Sequence, residues 1–200
     1  MPKIVNKEEK RKNIAQSSIE LLLEKGIHNI TVSEVAKRAN IGKGTIYQYF
    51  VNKEDIVFEI ITAYTNEVIL ELEESLQKAL SCREKTLIFF EFFMSDEQKN
   101  QDTLKLYQDY LGINLSSRNE AMTQYNTNCS FQFEEIFRKI IEEGIEKKEL
   151  LPKAIEFVPI FLLSEKGMIL CHGTQLDFSY KQNMLHMIDS LFNILENKND

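Results

Sequence analysis

Apolar residues recur at three- and four-residue spacing in segment after segment of the chain, and this spacing predicts helices and their limits. Over residues 8–25, Ile14, Ala15, Ser18, Ile19, Leu22 and Leu23 fall at helical spacing, and Gly26 stops the helix. Thr31 then precedes Glu34 by three residues, a capping box, and Val32, Val35, Ala36 and Ala39 make one apolar stripe over about 31–39. The stretch NIGKG (40–44) breaks the pattern with an asparagine, which tolerates left-handed backbone, and two glycines. Ile46 and Phe50, four apart, supply the apolar side of a second short helix. Two short helices joined by a tight turn make a helix-turn-helix. Asn52 is placed to cap the next helix, with Asp55 at its third position, and Ile56, Ile60, Ala63, Tyr64, Val68, Leu72 and Leu76 carry it to about residue 80. Residues 83–94, 102–115, 116–148, 153–173 and 179–197 read as successive further helices. The segment 153–173 is apolar nearly all round, with Pro159 marking a kink or a late start; the last carries Met184, Met187, Ile188, Leu191, Ile194 and Leu195 on one face.

Composition narrows the class. With 43% hydrophobic residues in 200, the chain buries a core, and seven glycines with three prolines leave little room for turn-rich β architecture, so the expected fold is all-α. No apolar run approaches the roughly 20 residues that span a bilayer; FVPIFLL (157–163) is soon broken by Ser164, Glu165 and Lys166. The N-terminal MPKIVNKEEKRKN is not followed by the apolar run and cleavage site of a secretory signal, and the expected location is cytoplasmic. Cys82, Cys129 and Cys171 are widely spaced and odd in number, which suggests neither a disulfide framework nor a thiolate metal site.

Charge divides the chain. Residues 1–53 hold ten Lys plus Arg against five Glu, a surplus of five positive charges; the whole chain carries −7, so the remainder carries −12. Such asymmetry points to an N-terminal segment that meets a polyanion and a larger part that does not. With Ile46 and Phe50 turned inward, Lys43, Gly44, Thr45, Tyr47, Gln48 and Tyr49 are left on or near the outer side of the second short helix. Lysine and glutamine suit base edges in a major groove, while hydroxyls, backbone N–H groups and Lys53 suit phosphate oxygens. A glycine at 44 allows close approach to DNA.

The segment TVSEVAKRANIGKGTIYQYFVNKEDI (31–56) resembles the DNA-binding domain of the TetR family of bacterial transcriptional repressors, the resemblance covering about residues 8–60. It implies a three-helix DNA-binding domain with a helix-turn-helix over 1–53. Over 54–200 it implies an all-helical regulatory domain that binds a small molecule and dimerises through its last two long helices. By that resemblance Lys43, Gly44 and Gln48 fall on positions that approach bases, and Thr31, Thr45, Tyr47, Tyr49 and Lys53 on positions that contact phosphates. The function it implies is that of a dimeric repressor that binds a palindromic operator and is released by a small, largely apolar ligand.

The acidic remainder is rich in aromatics. Phe90, Phe93, Tyr107, Tyr110, Tyr125 and Phe133 are the candidate ligand-binding residues, within a set that also includes Phe89, Phe92, Phe131 and Phe137. The same crowding also suits plain core packing. Glu91, between two Phe pairs, would counter a cationic lipophilic ligand, and Asn114, Asn126, Asn128 and Gln132 are further polar candidates. No Gly-rich phosphate loop, G-x-S-x-G or H-E-x-x-H occurs, and His28, His172 and His186 have no acidic or cysteine set at ligand spacing. No enzyme activity, cofactor or metal is therefore expected. A second reading stays open: a DNA-bound interaction module whose acidic helices recruit a protein partner.

Overall fold

The structure is a computed structural model that describes residues 6–117 and 120–196. Arg118, Asn119 and Asn197, which the expected helices 116–148 and 179–197 include, lie outside the described residues. Among the described residues the chain is all-α, and it divides into two compact units, Met1–Glu71 and Leu72–Asp200.

In the first unit the single helix expected over 8–25 is two: α1, Lys7–Gln16, and α2, Ile19–Asn29. The break lies at Ser17 and Ser18, whose hydroxyls both return to the Ile14 carbonyl at 2.9 Å. Such back-bonding offers the chain an alternative to the helical ladder, a competition that side-chain periodicity does not register. Gly26 leaves the helical region at φ 73°, and helical residues resume to Asn29. Next, α3 (Val32–Arg38) starts on the expected box, Thr31 and Glu34 capping each other. It ends in a Schellman motif: Ile41 N–H donates to Ala36 O at 3.0 Å and Asn40 N–H to Lys37 O at 3.2 Å, with Asn40 itself left-handed at φ 53°. The turn therefore falls on the asparagine, and Gly42, in extended backbone, starts α4, Lys43–Ile46. The long α5, Lys53–Leu76, begins on the Asn52 cap, whose side chain accepts from Asp55 N–H at 2.8 Å. It stops before residue 80 because its last turn tightens, Lys78 N–H and Ala79 N–H reaching back only three residues.

The second unit comprises α6 (Cys82–Met94), α7 (Gln98–Ser117), α8 (Glu120–Glu146), α9 (Val158–Thr174) and α10 (Tyr180–Leu195), with a 3-10 helix, Pro152–Phe157, leading into α9. Pro159 is the second residue of α9, where a missing N–H leaves no bond unmade, so it marks a late start. The α6 helix packs against α7, α8 and α10, and α9 against the same three. Phe89, Phe90, Phe137 and Phe161 interlock at the centre, with ring centroids 4.9–5.9 Å apart. The approach of α6 to α8 depends on Gly144, where a Cβ would stand 2.6 Å from Cys82 Sγ and 3.2 Å from Leu150 Cδ1. Burial pushes the Cys82 thiol up to about 12, so it stays neutral.

Gly144→Ala therefore lowers stability by about 1–3 kcal/mol, the cost of overpacking a filled site. Thermal melting reads this directly, and an unchanged midpoint would show that α6 has room to move away.

Candidate nucleic-acid interface and interior site

The outward face of residues 43–49 is built on two buried anchors. Ile46 is 0% and Phe50 2% exposed, and they hold a segment whose own hydrogen bonds are few. Gly42 O accepts from Thr45 and Ile46 N–H, and the chain then continues in tight turns, Gln48 N–H to Thr45 O and Tyr49 N–H to Ile46 O, as far as Phe50. Lys43, Gly44, Tyr47 and Gln48 are exposed, and Thr45 and Tyr49 are half-buried. Gly44 has no conformational reason to be glycine: its φ is not positive, and a Cβ there would meet nothing within 4 Å. An internal helical glycine costs roughly 0.8–1.0 kcal/mol against alanine, and the missing methyl leaves open space at the surface.

Two predicted residues already have partners inside the protein. The Thr31 hydroxyl donates to Glu34 Oε2 at 2.7 Å within the capping box, and Lys53 Nζ donates to His28 O at 2.8 Å, tying the start of α5 to the end of α2. The Lys53 ammonium retains two further donors. Lys25 and Thr31 together hold the Glu34 carboxyl down at about 2, the Lys25 bond being the larger cause.

Arg11 is the residue that periodicity missed. Its guanidinium donates to Tyr49 O at 2.7 Å, to both Asp55 oxygens at 2.8 and 3.2 Å and to Glu59 at 2.6 and 3.0 Å, and its Cζ lies 4.4 Å over the Phe50 ring. One side chain thus joins α1, the segment after α4, and α5. The Asp55 carboxyl is held below its ordinary range, chiefly by the Arg11 bond and also by the Val51 N–H. In the sequence Arg11 is one of three consecutive cations, 44 residues from Asp55, and no local spacing links the two.

The family described as bacterial regulatory proteins, tetR family, matches residues 14–60, the stretch that contains this face and its supports. The chain belongs to the TetR family. It is 27% identical over 144 residues to the fatty acid metabolism regulator protein of Bacillus subtilis (strain 168), covering 72% of each. Among solved structures it is similar to a transcriptional regulator from Saccharomonospora viridis in complex with choline (TM-score 0.74, 15% identity, 96% of this chain and 100% of that one). It is also similar to the transcriptional regulator FadR from Bacillus subtilis in complex with stearoyl-CoA (TM-score 0.57, 21% identity, 91% and 95%). At these identities the two likenesses are of fold. The protein is a helix-turn-helix transcriptional regulator.

In the second unit of this TetR-family regulator the predicted aromatics fall into two groups. Phe90 and Phe133 join Phe89 and Phe137 in the phenylalanine core. Phe93, Tyr107 and Tyr110 stack in a row at 5.8 and 6.5 Å, Tyr125 meets Tyr110 edge-on at 6.5 Å, and the Tyr110 hydroxyl donates to Met122 O. Phe131 is 67% exposed. Glu91 is exposed too; it borders a surface groove of about 370 Å³ with Leu87, Met94, Asp96, Lys181 and Leu185. Asn114 and Asn126 are half-buried, Asn128 and Gln132 exposed. Two residues outside the predicted set belong with the row. Tyr180 stands edge-on to Phe93 at 6.1 Å, and Glu165, on α9, acts electrostatically on both Tyr107 and Tyr180. Burial pushes the Glu165 carboxyl up to about 7, with Lys166 opposing. The Glu165 side chain itself is half-buried.

Gly44→Ala is expected to leave the melting temperature unchanged or to raise stability by up to about 1 kcal/mol while weakening DNA binding. Paired thermal melts and gel shifts check this; full affinity in the alanine variant would remove residue 44 from the interface.

Proposed function

We propose that the protein is a dimeric, cytoplasmic repressor: two copies set their 43–49 faces on a palindromic operator, and a small, largely apolar ligand held in the second unit releases them. The observation that carries the DNA reading is the exposed Lys43–Gly44–Gln48 face standing over buried Ile46 and Phe50. A helix so placed offers its first residues to base edges in the major groove, with Thr45, Tyr47, Tyr49 and Lys53 at the phosphates. Two such faces must stand about 34–36 Å apart, one turn of DNA, to read both halves of a palindrome.

Dimerisation through α9 and α10 is supported by what those helices leave uncovered. Ile160, Leu163 and Leu170 are 49%, 69% and 47% exposed, with Gly167 open between them, a stripe at helical spacing on a helix whose opposite face is core. Ile194 of α10 is 59% exposed. A second copy presenting the same stripe covers both.

Ligand release is a population shift in which the bound ligand favours a conformer that reads the operator poorly. The solved relatives bind chemically different ligands, stearoyl-CoA in one and choline in another, so the fold does not choose the ligand.

Two sets of variants test the proposal. Leu163→Glu sediments as a monomer and loses operator affinity, whereas a dimeric Leu163→Glu protein with normal affinity would place the interface elsewhere. Lys53→Ala weakens binding to all sequences and lowers the salt slope by about one unit, while Gln48→Ala relaxes preference at one operator position by about 1–3 kcal/mol. A randomised-operator selection that recovers the same motif with Gln48→Ala would show that this side chain reads no base.

A further inference from the structure

We propose that Lys7, on α1, is a further phosphate-contacting residue of the DNA face, held beside it by Arg11; this rests on the reading of residues 43–49 as the part that meets DNA. Arg11 sets which side of α1 faces that segment, because its guanidinium donates to Tyr49 O at 2.7 Å and lies over the Phe50 ring. Lys7 stands one turn earlier, four residues before Arg11, and so on the same side of the helix. The acidic neighbours in its turn, Glu8 and Glu9, are rotated from it by about 100° and 200°. Lys7 acts electrostatically on Asp55, whose carboxylate accepts Val51 N–H at 2.9 Å, which places the ammonium toward the 49–51 end of the segment. That edge is open: Val51 is 85% exposed, and Lys7 is exposed too.

Other cations of the first unit are already engaged. Arg11 is held by Asp55 and Glu59, Lys25 by Glu34, and Arg38 by Glu20 and Glu24, while Lys53 gives one donor to His28 O. Lys7 makes no hydrogen bond or ion pair with the described residues, so its three donors face water. The competing role for Lys7 is internal. Arg11 leaves one negative charge of Asp55 and Glu59 uncompensated, and Lys7 is a second cation acting on Asp55. An exposed cation, screened by water, adds little stability in that way. Against a phosphate it gains more, since each contact releases counterions condensed on the DNA.

Salt dependence separates the two roles. A phosphate contact carries no sequence information, so a fluorescently labelled random-sequence duplex of roughly 30 base pairs, about three turns, serves as the probe. Its anisotropy is titrated with the full-length protein over about 50–200 mM salt. Lys7→Gln is expected to lower the slope of log affinity against log salt by about one unit, and Lys7→Arg to restore it. Lys12→Gln removes the same charge from the side of α1 about 140° away and should leave the slope unchanged. Combining Lys7→Gln with Lys53→Ala should lower it by about two units. In a randomised-operator selection, Lys7→Gln should recover the same motif as the natural protein.

An unchanged slope in Lys7→Gln, with a lower melting temperature, is the result of a purely internal role. Equal loss of slope in Lys7→Gln and Lys12→Gln is the result of a long-range field without contact. Either outcome overturns the Lys7 contact and leaves the reading of residues 43–49 standing. Failure of the natural protein to bind either the random duplex or fragments of the organism's own genome overturns both.

Discussion

The Arg11 guanidinium is the interaction on which the outward face of residues 43–49 depends. A helix of four residues closes about one turn and has no stability of its own, so α4 stays formed only because something else fixes its two ends. At its start the Schellman turn at Asn40 sets the direction of the chain. After its end Arg11 takes the Tyr49 carbonyl, covers the Phe50 ring, and fastens both to Asp55 and Glu59 of α5. With about a fifth of its side chain exposed, the Arg11–Asp55 pair is screened in part by water, and what it supplies is chiefly geometry, since a planar fork meeting a carboxylate bidentately fixes angle as well as distance. The exposed side chains at 43, 47 and 48 are thereby held at set positions by groups that lie beneath them.

The second unit follows another rule. Its helices are fastened by interlocked phenylalanines and by a close approach at Gly144, both apolar and both insensitive to charge. Against that background Glu165 is a half-buried carboxyl on α9 whose surroundings hold it up at about 7.

Local chemistry was legible in the sequence, and distant partnership was not. The Thr31–Glu34 box, the Asn52 cap and the buried pair Ile46 and Phe50 each depend on residues within four positions, and each stands in the structure as spacing predicts; at Pro159, where spacing leaves a kink and a late start both open, the structure has the late start. The break at Ser17 and Ser18 escaped because serines are permitted on a helix and only their back-bonding to Ile14 disrupts it. Arg11 escaped because its partners lie 44 and 48 residues away. Of the six aromatics proposed for a ligand, periodicity found rings that pack together but could not separate the phenylalanine core from the tyrosine row, and it passed over Tyr180 on a helix remote in the chain. Glu165 did leave a signal, a charge one helical turn from Phe161 and from Ile169, but in a linear reading it served only to interrupt an apolar run.

That residues 43–49 meet DNA is the central claim, and site-specific photo-cross-linking tests it without perturbing the supports beneath. A benzophenone amino acid placed at Tyr47, 52% exposed on the proposed face, is compared with one at Phe131, 67% exposed on the other unit. Irradiated with DNA fragments enriched from the organism's own genome, position 47 should become covalently attached to DNA and position 131 should not. Attachment at 131 alone, or at neither position in a complex that still shifts on a gel, would contradict the account.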